Sequence, residues 1–101
     1  MLGGGTLNLD EFARATYSLN KSLTLLVAKE KHFEPVTQIT LGKSEIYLQV
    51  KADAPTTNST LSLEQFEARV KKTPSSFNIR FFSSQKLAFG FRIIGKTLVF
   101  Y

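Results

Sequence analysis

The sequence predicts an α+β protein in which one α-β-β-β unit occurs twice, giving one mainly antiparallel sheet of about six strands with two helices on one face. Three observations predict it. Thr6-Leu7-Asn8-Leu9-Asp10-Glu11-Phe12 reappears further along as Thr60-Leu61-Ser62-Leu63-Glu64-Gln65-Phe66, at offset 54 and with four of seven positions identical. Ile39-Thr40-Leu41-Gly42-Lys43-Ser44 has a counterpart at offset 53 in Arg92-Ile93-Ile94-Gly95-Lys96-Thr97. Behind each helix-like start lie apolar, β-favouring runs broken by glycine turns. A period of half the chain corresponds to one supersecondary unit per copy.

With 101 residues and 43% hydrophobic content the chain holds one core, so the copies belong to a single domain. Repeat 1 covers about 6–53 and repeat 2 about 60–101, joined by a turn-rich linker at 54–59 (Ala54 to Ser59). Residues 1–5, with three glycines, read as a flexible tail.

The first helix is expected from Asn8. Asn8 and Glu11 have the capping-box spacing, which satisfies backbone N–H groups that lack an intrahelical partner, and Leu7 with Phe12 has the hydrophobic-staple spacing. Phe12, Ala15 or Thr16, and Leu19 continue one apolar face. Residues 22–28 can extend that helix or form a strand. The strand is favoured because the matching stretch, Phe77 to Phe82, follows Pro74 and is rich in aromatics. Val36 to Leu41 and Glu45 to Lys51 read as a hairpin around Gly42-Lys43-Ser44. The second helix is expected from Ser62 to about Lys72, with Gln65 completing a second capping box, Leu61 and Phe66 a second staple, and Lys71 and Lys72 at the end where the dipole favours cations. If the duplication holds, Phe12 and Phe66 occupy equivalent buried positions. Leu87 to Ile94 and Thr97 to Tyr101 supply a closing hairpin around Gly95-Lys96.

Strand alternation assigns the faces. Ile46, Leu48 and Val50 point inward and leave Glu45, Tyr47, Gln49 and Lys51 outside. Phe77, Ile79 and Phe81 point inward and leave Asn78, Arg80 and Phe82 outside. Leu87, Phe89, Phe91 and Ile93 are expected in the core, with Ala88, Gly90 and Arg92 outside. The charge is just as uneven: residues 6–58 hold six Lys/Arg and six Asp/Glu, whereas residues 60–101 hold seven and two, so the net +5 lies in the second copy.

An outer face that combines cations with aromatic planes is the chemistry of single-stranded nucleic-acid binding: cations for phosphates, rings for bases of any identity. The candidate stacking residues are Tyr47, Phe82 and Tyr101, and the candidate backbone contacts are Arg80, Lys86, Arg92, Lys96 and Lys51. The expected function is therefore a small non-enzymatic nucleic-acid-binding accessory in replication or transcription, single strands favoured, DNA or RNA. The alternative is a protein-interaction module, a subunit or inhibitor of a larger assembly or a homodimer, using the Phe-rich C-terminal hairpins. In that reading Leu98-Val99-Phe100-Tyr101 is an apolar edge strand open to another chain.

Other chemistries find little support. Gly90-Phe91-Arg92-Ile93-Ile94-Gly95-Lys96-Thr97 fits the phosphate-loop pattern, but only a short β-favouring stretch follows where the mechanism needs a helix, so a hairpin is expected. His32, the only histidine, sits between Glu30 and Glu34, and there is no cysteine; neither a metal site nor a catalytic set is expected. No cofactor, small-molecule substrate or membrane partner is expected. The absence of cysteine and of a leader-like start predicts an intracellular protein, cytoplasmic or nucleoid/nuclear and not secreted, whose two glycosylation sequons at Asn20 and Asn58 stay unmodified.

Overall fold

A computed structural model describes residues 6–50 and 60–101; the expected tail 1–5, linker 54–59 and candidate Lys51 lie outside them. The elements are α1 (Leu9–Thr16), β1 (Thr24–Ala28), β2 (Phe33–Leu41), β3 (Glu45–Val50), α2 (Leu63–Arg69), β4 (Asn78–Phe81), β5 (Phe91–Ile94) and β6 (Thr97–Phe100). The described residues form an α+β fold of two helices and six strands.

Both capping boxes are formed. Asn8 accepts from the Glu11 N–H at 2.8 Å while its own N–H donates to Glu11 Oε1 at 3.2 Å, and Ser62 and Gln65 make the same pair of bonds at 3.2 and 2.9 Å. The four staple residues, Leu7, Phe12, Leu61 and Phe66, are buried. Phe12 (1% exposed) and Phe66 (0%) meet edge to face with centroids 5.1 Å apart, and Phe12 also stacks on Phe100 at 5.3 Å. Leu25, Val27, Val36, Ile46, Leu48, Ile79 and Leu98 complete the same core. Residues 24–28 are a strand, as their alternating burial requires, and α2 ends at Arg69 rather than near Lys72. The chain turns after Val70, Thr73 N–H donating to Val70 O at 2.9 Å, and Pro74 then disfavours any return to helical backbone at Thr73.

The sheet runs β4-β3-β2-β1-β6-β5. It is mixed rather than mainly antiparallel: β1–β2, β2–β3 and β5–β6 are antiparallel, while β1–β6 and β3–β4 are parallel. The parallel pair β3–β4 follows from the helix between them, since a crossover through α2 returns the chain to the end from which β3 started. The sheet also curls. Phe81 N–H donates to Lys86 O (2.9 Å), Ala88 N–H to Ile79 O (2.8 Å), and Arg80 bridges Leu87, so β4 at one edge meets the chain leading into β5 at the other. The helices therefore pack into a curl rather than onto one flat face.

The two halves are tied by exchanged segments. Leu9 N–H donates to Phe77 O and Leu63 N–H to Leu23 O, each at 2.8 Å; Ile79 N–H reaches Leu7 O and Leu25 N–H reaches Leu61 O. Likewise Thr24–Val27 pair with Thr97–Phe100, and Asn78–Phe81 with Glu45–Leu48. Each of these bonds has an equivalent in the other half at a fixed shift in numbering, 54 for the helices and first strands. In the hairpins the shift is 52: Leu41 pairs with Ile46 as Ile93 does with Leu98. Lys43-Ser44, not Gly42-Lys43, thus occupies the place of Gly95-Lys96, and the sequence match at offset 53 is out of register by one. The cause is a shorter hairpin tip, since Val27 pairs with Glu34 whereas the equivalent Phe81 bonds to Lys86.

Two further expectations are corrected. Leu87–Ile94 is not one strand: the Phe89 and Gly90 N–H groups both face Tyr101 O, at 2.8 and 3.4 Å, a bulge that reverses the alternation. Ala88 is consequently buried and Phe89 is 65% exposed; beyond the bulge Phe91 packs on the core, whereas Ile93, on the same side of β5, is 43% exposed. Nor is β6 an edge strand. It lies between β1 and β5, and Leu98, Val99 and Phe100 are all buried.

Candidate nucleic-acid interface

The residues singled out for binding are carried by β3, β4, β5 and β6, which follow one another around the curl once β4 meets residues 86–88. Ile46 and Leu48 are buried, so Tyr47 between them faces outward, and the parallel register sets Tyr47 beside Arg80. Phe82, 42% exposed, meets the Tyr47 ring edge-on with centroids 6.1 Å apart. On the other side of the seam Leu98 and Phe100 enter the core, and Tyr101 lies outside with the Arg92 guanidinium 5.1 Å from its ring centroid. The structure thus forms two aromatic–cation groups, Tyr47–Phe82–Arg80 and Tyr101–Arg92.

Arg80 departs from its expected role. Its Nε lies 2.8 Å from Glu45 Oε2, and a terminal nitrogen donates to Gln85 O at 2.7 Å. The guanidinium is half-buried against a carboxylate whose Oε2 is buried and has no aligned hydrogen-bond donor, so the contact is an ion pair without good hydrogen-bond geometry. Arg80 is occupied holding β4 to the start of β3 and to the turn after it. Its charge is neutralised locally.

Lys86, Arg92 and Lys96 are exposed and, among the described residues, none has a carboxylate within ion-pairing distance. Lys86 stands at the turn after β4 and Lys96 at the β5–β6 turn, where Gly95 takes φ 58 at the first central position, as a II′ turn requires. That turn is why the phosphate-loop pattern is not one: Gly90 to Thr97 spans a hairpin. By contrast Arg14, Lys21 and Lys29 are each paired with a carboxylate, Asp10, Glu67 and Glu34. His32 also contacts Glu34, at 2.9 Å, at the tip of the β1–β2 hairpin.

Sequence reasoning missed two features. Phe89, assigned to the core, is among the most exposed apolar residues. Gly42 and Gly90 stand close against the tyrosines: a Cβ at Gly42 would come within 3.1 Å of Tyr47 Cε2, and one at Gly90 within 3.0 Å of Tyr101 Oη. An isolated glycine inside a strand pattern is the signal for both a bulge and a close approach, and Gly90 carries both. The chain matches no protein-family model, no curated protein and no solved structure.

Proposed function

We propose that this chain is a non-enzymatic protein that binds single-stranded nucleic acid across the outward surface of β3, β4, β5 and β6. The observation that carries the reading is the grouping of aromatic rings with cations that no carboxylate neutralises: half-buried Tyr47 and exposed Phe82 on one side of the seam, exposed Tyr101 and Arg92 on the other, with Lys86 at the turn after β4 and Lys96 at the other end of β6 from Tyr101. Rings give stacking that tolerates any base, and unpaired cations release counterions on meeting phosphate. The test is fluorescence anisotropy of labelled single strands and duplexes across a salt series. Single strands should bind more tightly, with a log–log slope of about −2 if three cations contact phosphate. Phe82→Ala should weaken binding by about 1–3 kcal/mol. Equal affinity for single strands and duplex, or no dependence on salt, would sink the reading.

The same proposal includes duplication: residues 6–53 and 60–101 as two copies of one α-β-β-β unit within a single domain. The support is the recurrence of capping boxes, cross-half hydrogen bonds and strand pairings at the two fixed shifts in numbering, one for the helices and first strands and one for the hairpins. A second reading, a protein partner or a second copy of the chain, draws on one observation: Phe89, Ile93 and Ile94 are exposed on and beside β5. Analytical ultracentrifugation tests the second copy, since a monomer at tens of micromolar would exclude a stable homodimer.

A further inference from the structure

We infer that the surface each half presents to the other also fits a second copy of the chain, so that two chains exchange halves: residues 6–50 of one close on residues 60–101 of the other, and the reverse. The partner is an identical chain, and the interface is the one already inside the monomer. The inference is independent of what the outer surface binds. Three observations carry it. β1 has β2 of its own half on one side and β6 of the other half on the other, and β4 takes β3 from the other half. The segments ahead of the helices are threaded across: Leu7 N–H donates to Ala88 O while Leu7 O accepts from the Ile79 N–H, and Leu61 does the same between Val36 and Leu25. The three rings that Phe12 meets, Phe66, Phe91 and Phe100, all belong to the other half.

None of these contacts requires the two halves to belong to one chain. Residues 51–59 alone join 6–50 to 60–101, so exchange keeps every contact and changes only where that join leads. Fully extended, a join of this length reaches about 30 Å. That exceeds the 27 and 24 Å of the molecule's two shorter dimensions, so two exchanged units fit side by side. Which form wins is set by concentration. A short join holds its own partner half at an effective concentration on the order of 1 mM, so the closed monomer prevails in dilute solution and exchange competes only as the chain itself approaches that level. Return is slow, because releasing one half opens the shared core around Phe12, Leu25 and Leu98. A dimer formed during folding therefore outlasts dilution.

The experiment refolds the wild-type chain from urea at ~10 µM and at ~1 mM, well below and at that level, and sizes both samples at one common dilution by analytical ultracentrifugation. The dilute refold should be monomeric, and the concentrated one should hold a dimer fraction that persists for hours after dilution. The chain has no cysteine, so Thr24→Cys and Thr97→Cys can mark the parallel β1–β6 pair. The two single variants refolded together at ~1 mM and then oxidised should give a covalent dimer, whereas the same variants folded apart and then mixed should not. The double variant, folded dilute, should close the bond within one chain, since directly paired neighbours have Cα atoms within disulfide range. Monomer at both concentrations overturns the inference, and so does a dimer that falls apart as soon as it is diluted, which would mark a surface contact. A persistent dimer without the mixed disulfide, or an equal yield from variants folded apart, also overturns it. A double variant that fails to close would remove the β1–β6 pairing on which the exchange rests.

Discussion

Arg80 separates what a residue type promises from what its neighbours allow. Its outward direction follows from the alternation around Ile79, but its partner Glu45 starts a strand in the other half of the chain and comes alongside only through the parallel β3–β4 pairing. Arg80→Ala should therefore cost stability rather than affinity, about 1–3 kcal/mol by urea denaturation, because Glu45 Oε2 is left buried without its ion-pair partner. The salt slope of binding should stay unchanged, whereas removing Lys86, Arg92 or Lys96 should reduce it by about 0.7 each. Phe12 is the opposite case, legible from sequence as a staple residue and buried as expected. Its ring touches Phe66, Phe91 and Phe100, so Phe12→Ala should cost about 3–5 kcal/mol, read as a fall in the urea midpoint.

Among elements, helix starts were the most legible part of the sequence because a capping box is local: four residues contain both bonds and fix where the first turn begins. Asn8→Ala or Ser62→Ala should each lower stability by about 1 kcal/mol in denaturant titrations. The β5–β6 hairpin was legible for a similar reason, through Gly95. Nothing lies within 4 Å of a Cβ built there, so a loss of about 1 kcal/mol in Gly95→Ala would report the cost of φ 58 alone. The stretch before β5 was read wrongly because alternation assumes one residue opposite one. At Tyr101 two N–H groups oppose a single carbonyl, and the residues before the bulge change faces relative to those after it. That one irregularity carries Phe89 to the surface and Ala88 into the core.

For the whole molecule, composition and periodicity gave the element order and the α+β class but not which strands are neighbours. Pairing depends on where the chain crosses over, and the crossover through α2 makes β3–β4 a parallel pair in a sheet expected to be mainly antiparallel. The outer face was legible only strand by strand; the seam that brings β4 beside the chain leading into β5, and with it the two aromatic groups onto consecutive strands, was not. Because each half supplies strand partners and pre-helix segments to the other, neither half should fold alone as a monomer. Fragments 6–50 and 60–101 should each show little structure by circular dichroism when dilute and regain it on mixing; an independently folded monomeric half would refute this. No helix among the described residues is long and apolar enough to cross a membrane.

The exchange between halves also sets the order in which the molecule can assemble. Thr24 waits for Thr97, which is made only as the last strand is, and Leu25 waits for Leu98. As the chain leaves the ribosome, the β1–β2–β3 meander can form early, yet one side of β1 stays open until β6 emerges. Closing so distant a pair demands loop entropy before any contact repays it, which makes the last step slow. During that interval Leu25 and Val27 sit on an unsatisfied strand, the kind of surface that chaperones hold and that neighbouring nascent chains capture.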